Sequence, residues 1–154
     1  MGVYTRIMDE VACLCANARR AALALTSVYD EALAPHGLKV TQFSLLHAIQ
    51  RRERPNLAAL AEATGLDRST LGRNLRVLEA AGVVVLTPGE DQRDTVATLT
   101  AAGAATLRAA TKAWRRLQER LSGALGEDAD RLLAVTRRVA GLARDPAHRA
   151  AALR

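Results

Sequence analysis

A chain of 154 residues with a formal net charge of +6 and a pI near 10.3 is long enough to bury most of its apolar surface as one domain, without metal or disulfide staples. It contains no uninterrupted apolar stretch of membrane-spanning length and no basic-then-apolar leader, Asp9 and Glu10 coming early; no membrane partner is expected, and the expected location is cytoplasmic, where Cys13 and Cys15 are not expected to form a structural disulfide. The basic excess suits a polyanionic partner, although charge alone also fits a merely soluble protein.

From about residue 3 to 34, Ile7, Val11, Leu14, Ala18, Ala21, Leu25, Val28 and Ala32 recur at alternating spacings of four and three, a heptad seam on one long helix that Pro35 and Gly37 end. So long a helix has little surface of its own chain to cover it, so part of the seam is expected to face a second subunit; packing on its own chain is the alternative. Thr41 reads as the N-cap of a short helix with Phe43, Leu46 and Ile49 inward. Arg51 to Pro55 reads as a charged loop, solvated or touching phosphate.

Leu57, Leu60 and Ala61 make the buried stripe of the next helix, and Thr64-Gly65-Leu66 breaks it. Asp67 stands at an N-cap position, and Leu71, Leu75 and Leu78 follow as a buried face. At about 100° per residue, Ser69, Arg73 and Arg76 fall on the opposite face within roughly 60° of one another. Arginine can fork onto guanine, and the hydroxyl of Ser69 or Thr70 can bind a phosphate or a base edge. An ordinary solvated helix face has the same pattern, so the next segment decides. Gly82 closes the helix, Val83 to Thr87 reads as a strand, Pro88 to Asp94 as a polar loop and Thr95 to Leu99 as the return strand.

Thr100 then caps a helix running to about Gly126 with Leu107, Ala110, Trp114, Leu117, Leu121 and Ala124 on one side. Glu127 and Asp128 open a last helix with Leu132, Val135, Val139 and Leu142 in register, which Pro146 stops. The expected fold is mainly α with a small β-wing: a single domain, 1–154, with a winged helix-turn-helix head at about 38–100 and dimerisation helices at about 3–34 and 100–144.

The run Asp67-Arg68-Ser69-Thr70-Leu71-Gly72-Arg73, then Leu78 to Val83, Asp91-Gln92-Arg93-Asp94 and Val96 to Gly103 resembles the MarR family of bacterial transcriptional regulators almost end to end. The resemblance implies a wing motif in Asp91 and Arg93, the arginine entering the minor groove, and a recognition-helix arginine in Arg73. Gly72 stands where a threonine is frequent, and Val85-Leu86 where the first wing strand usually has a basic residue. The expected DNA-binding set is Arg68, Ser69, Thr70, Arg73, Asn74, Arg76, Asp91 and Arg93. The resemblance also implies a homodimer on a pseudo-palindromic operator in double-stranded DNA and a small aromatic or phenolic ligand that releases a repressor.

His36, His47 and His148 lack ligand-like spacing to the cysteines, so no metal and no cofactor is expected, and no nucleophile, phosphate-loop or paired-acid motif supports an enzyme. Cys13 and Cys15, spaced by two on a helix, point about 200° apart and are not expected to bond each other. Cys15, with Arg19 one turn away, is the better redox-sensor candidate; both cysteines read equally as small packing residues. The alternatives are therefore a thiol-based redox-sensing repressor using Cys15 and an effector-free architectural DNA-binding protein using Arg51, Arg52, Arg73, Arg76 and Arg93.

Overall fold

The computed structural model describes residues 13–89, 94–145 and 150–151, the side chains of residues 143 and 144 excepted. The order is α1 (Leu14–Leu33), a 3-10 turn (Ala34–His36), α2 (Val40–Arg52), α3 (Leu57–Thr64), α4 (Arg68–Ala80), β1 (Val84–Pro88), β2 (Thr95–Leu99), α5 (Ala101–Leu125) and α6 (Asp128–Arg144). Two compact units divide the chain after Trp114. This is the winged-helix architecture: mostly helix, with one two-stranded antiparallel sheet.

The first unit holds one contiguous core, in which Leu45, Leu46 and Ile49 of α2, Leu60 of α3 and Leu71, Leu75 and Leu78 of α4 meet Val84, Ala97, Leu107 and Ala110. α1 commits Leu33 to that core, a residue outside its heptad seam. Within the seam Leu14 is 86% and Val28 39% exposed, while Leu25 and Ala32 are half-buried; Ile7 and Val11 lie outside the described residues. Gly37 takes the left-handed conformation after the 3-10 turn, as a chain reversal there requires.

Thr41 does not cap α2. The helix starts one residue earlier, with Lys39 as the extended cap residue. Two other groups serve this helix start: Asp30 of α1, ten residues back, accepts the Val40 N–H at 2.7 Å, and buried Gln42, at the third helical position, accepts the Lys39 N–H at 2.8 Å. Nor are Arg51 and Arg52 in a loop, since they form the last turn of α2, where cations meet the negative end of the helix dipole. The connection is Glu53 and Arg54, both at positive φ (40° and 61°) without being glycine. Pro55 and Asn56 then bond to the sheet: Pro55 accepts the Ala97 N–H at 3.1 Å, and Asn56 bridges Val96.

Asn56 also caps α3 by accepting the Ala59 N–H at 2.9 Å, and Gly65 closes that helix in the left-handed region. α4 ends in a Schellman motif, with Val83 N–H on the Leu78 carbonyl and Gly82 N–H on that of Glu79. This explains why β1 begins at Val84 rather than Val83: the Val83 N–H serves the helix end, and its carbonyl accepts from Thr100. The strands pair from Val84 with Leu99 to Pro88 with Thr95, and the Gly89 N–H closes the loop base on the Asp94 carbonyl at 2.7 Å. Proline is tolerated there because it ends the strand.

Thr100 joins three elements, donating to the Gly82 carbonyl at 2.7 Å while accepting the Gly103 N–H at 2.9 Å as the cap of α5. Gly103 packs so closely that a Cβ would collide with the Val83 carbonyl.

The second unit begins at Arg115. Gly126 adopts positive φ between α5 and α6, and Arg131 pairs with Glu127 and Asp128 at the start of α6. These bridges are exposed and contribute little. Leu132, Leu133, Val135, Val139 and Leu142 of α6 are all exposed. Among the described residues no helix is long and apolar enough to cross a membrane.

Candidate nucleic-acid interface

The buried leucines of α4 fix which side faces outward. Arg68, Ser69, Arg73 and Arg76 are exposed, and Thr70 and Asn74 are half-buried beside them. Among the described residues neither Arg73 nor Arg76 pairs with an acid, the ion pairs there being those of Arg131. Two guanidinium groups on one helix face, backed by a rigid stripe, can donate in fork geometry to guanine or phosphate. Val77, 51% exposed and one turn on from Arg73, adds an apolar contact suited to a thymine methyl. Being apolar, it carries no charge or hydrogen-bonding group to mark it in the sequence as part of that face.

The leading end of α4 is a closed polar cluster. Asp67 accepts the Thr70 N–H at 2.9 Å, the Ser69 hydroxyl at 2.8 Å and the Thr70 hydroxyl at 2.7 Å. The backbone and side-chain bonds from Thr70, followed by the Ser69 bond, hold the Asp67 carboxyl well below the usual carboxylate range. Asn74 donates one amide hydrogen to the Thr70 carbonyl at 2.9 Å, which leaves its other amide hydrogen and its oxygen able to meet a base.

The structure therefore brings Arg68, Ser69, Thr70, Arg73, Asn74 and Arg76 onto one helix. Asp91 and Arg93 lie outside the described residues; Gly89 and Asp94, which bracket them, hold the base of the wing together. Asn56 donates to the Asp94 carboxylate at 3.3 Å and so ties the wing to the start of α3. Gly72 is not required by packing, since a Cβ there would meet nothing within 4 Å.

A second feature was not legible as a site. α2 turns Phe43, Ser44, His47, Ala48, Arg51 and Arg52 to one side, and with Ala63 and Trp114 they line an open cleft of about 640 Å³. Phe43 stacks on Trp114 (centroids 6.0 Å, 23°) and meets the edge of His47 at 5.9 Å. The cleft combines aromatic walls with two arginines, a pairing suited to a planar anion. The repeat of pairs four residues apart along α2 was the available signal.

Cys13 and Cys15 are both exposed free thiols. Cys13 is not on the helix: it precedes α1 with an extended backbone (φ −62°, ψ 110°) and its carbonyl accepts from Asn17. The 200° separation expected of two helical positions does not apply to this pair. Among the described residues no cluster of three or more His, Cys, Asp or Glu could hold a metal ion.

A family model described as MarR family matches residues 36–94. The chain is similar to the M. tuberculosis transcriptional regulator MosR, solved in complex with DNA, at 37% identity over 86% of this chain and 99% of that one (TM-score 0.75). It is similar to the transcriptional repressor CouR, solved on a 23-mer DNA duplex, at 31% identity over 83% of this chain and 92% of that one (TM-score 0.76). Its fold is also that of PcaV from Streptomyces coelicolor, at 23% identity over 82% of this chain and 91% of that one (TM-score 0.74). No curated protein matches it at a significant level. With a family model on the helix-turn-helix and wing and two DNA-bound regulators matched over most of their length at more than 30% identity, the chain belongs to the MarR family.

Proposed function

We propose that the protein is a sequence-specific transcriptional repressor, a homodimer that places α4 of each subunit in successive major grooves of a pseudo-palindromic operator and Arg93 of each wing in the flanking minor grooves. The observation that carries this reading is the exposed face of Arg68, Ser69, Arg73 and Arg76, backed by the fully buried Leu71 and Leu75 and adjoining a two-stranded wing. MosR and CouR, both solved on DNA, support it. Such a protein acts by binding, without catalysis, and works in the cytoplasm beside the DNA. The dimer reading rests on the uncovered apolar residues of α1 and α6, Leu14, Leu23, Val28, Val135 and Val139 among them. Helices with so much apolar surface in water need a partner. The division into a head at about 38–100 and dimerisation helices on either side belongs to the same proposal.

Release by a small aromatic or phenolic acid is the regulatory mechanism that the cleft favours. Its ring would lie against Phe43 and Trp114 and its carboxylate toward Arg51 and Arg52. Oxidation of Cys15 is the second reading, favoured by an exposed thiol in the first turn of α1 with Arg19 one turn away. Selection of bound duplexes from a random DNA pool, with light scattering of the protein at micromolar concentration, tests the whole. A palindromic consensus and a mass of twice 16.5 kDa are expected. Binding without any consensus would replace the repressor with an architectural DNA-binding protein, and a monomer would end the two-half-site arrangement.

A further inference from the structure

The cluster at the leading end of α4 has a polarity as well as a shape. A carboxylate only accepts hydrogen bonds, so the 2.8 Å and 2.7 Å contacts from Ser69 and Thr70 to Asp67 require both hydroxyl protons to point at Asp67. What each hydroxyl has left to offer is oxygen lone pairs. A hydroxyl in that state cannot donate to a phosphate oxygen, nor to guanine O6 or N7 or thymine O4, all of which are acceptors. It can accept from the amino groups that adenine and cytosine present in the major groove. The negative charge of Asp67, exposed beside them, further disfavours a phosphate at this point. The arginines one and two turns along the same face, Arg73 and Arg76, are pure donors. The face is thus divided into an accepting tip and a donating middle, and in helix-turn-helix proteins the first residues of the recognition helix are those that meet base edges.

We propose that Asp67 is a specificity-determining residue, which by holding the hydroxyl protons of Ser69 and Thr70 makes the tip of α4 select adenine or cytosine amino groups over guanine, thymine or phosphate. The inference rests on the operator-reading function above and assigns the tip a base-reading role with a stated sign. Asp67 is a positioning residue here, acting through the two hydroxyls.

The test is selection of bound duplexes from a random pool by the wild type, Asp67→Asn, and the double variant Ser69→Ala/Thr70→Val, each first checked for an unchanged melting profile. Asparagine caps a helix about as well as aspartate, but its amide donates as well as accepts and no longer dictates the direction of both hydroxyls. On the strand facing the tip, the wild type should enrich adenine or cytosine over thymine or guanine, and both variants should lose about tenfold of that preference. The guanine preference opposite Arg73 should survive in all three. Ratios between sequences are compared, because loss of the Asp67 charge raises affinity for all DNA alike. An Asp67→Asn consensus identical to the wild type would overturn the inference alone. So would a double variant that weakens every sequence equally, since that assigns the hydroxyls to phosphate, a contact that carries no sequence information. A wild type that enriches no site would overturn the operator reading and this inference together.

Discussion

The side-chain amide of Asn56 reaches across 38 positions of sequence to donate to the Asp94 carboxylate at 3.3 Å, while its oxygen caps α3 through the Ala59 N–H. One residue thereby sets the start of the helix-turn-helix and holds the return side of the wing. Asn56→Ala should cost about 1 kcal/mol of stability through the lost cap, with an additional loss of DNA affinity because the wing is no longer held from below. Urea unfolding and fluorescence anisotropy on one sample separate the two. Asn56→Ser, which can still cap, should recover stability more fully than affinity.

Two glycines should respond in opposite directions. Gly103→Ala drives a methyl into the Val83 carbonyl, which is backbone and already engaged with the Thr100 N–H, so α5 must move away from the end of α4. A loss of about 3 kcal/mol is expected, read as a lower urea midpoint. Gly72→Ala meets no atom within 4 Å and should gain about 1 kcal/mol from helix propensity. Because Gly72 lies on the DNA-facing half of α4, its operator affinity should fall as stability rises. Unchanged affinity would show that the missing side chain serves no close approach to the groove.

Arg73→Ala should lose about 1 to 3 kcal/mol on a selected site and far less on random DNA, as expected for a residue that reads a base. Arg93→Ala should reduce the preference for A·T-rich flanks, where a narrow minor groove concentrates negative potential. Titration of each variant against matched and scrambled duplexes at fixed salt distinguishes these losses from a uniform weakening of phosphate contact.

For regulation, two treatments oppose each other. A phenolic acid that fills the cleft should release DNA from the wild type, and Arg51→Ala/Arg52→Ala should raise the concentration needed by an order of magnitude or more. Peroxide should leave DNA binding unchanged if the thiols only pack. Reversible release by peroxide, abolished in Cys15→Ser, would move the sensor to the start of α1. Because Cys13 precedes the helix with an extended backbone, Cys13→Ser should be measured beside it, with reductant to restore binding.

Much of the reading head is legible from residue order because its determinants are local. Asp67 caps the helix that follows it, the leucines recur at helical spacing, and β2 runs from Thr95 to Leu99, the bounds expected of the return strand. Determinants supplied from far along the chain escape such reading. The true cap of α2 is completed by Asp30, ten residues back, and Thr41 only resembles a cap. Asn56 follows a proline in a charged stretch, where a loop is the natural interpretation, yet its partners are Ala59 and Asp94. The cleft is assembled from α2, α3 and α5, and each lining residue has an ordinary local explanation in core, seam or surface.

The paired positive-φ residues Glu53 and Arg54 give this connection a mechanical character. A non-glycine residue in that region costs of order 1 to 3 kcal/mol, so two in succession persist only because the structure on either side holds them. On one side are Arg51 and Arg52, at the end of α2 and on the wall of the cleft. On the other, Pro55 and Asn56 are fastened to Ala97 and Val96 in the wing. A displacement at the cleft end of α2 meets a stiff crank rather than a slack tether, and the strand it turns is the one that carries the far side of the wing.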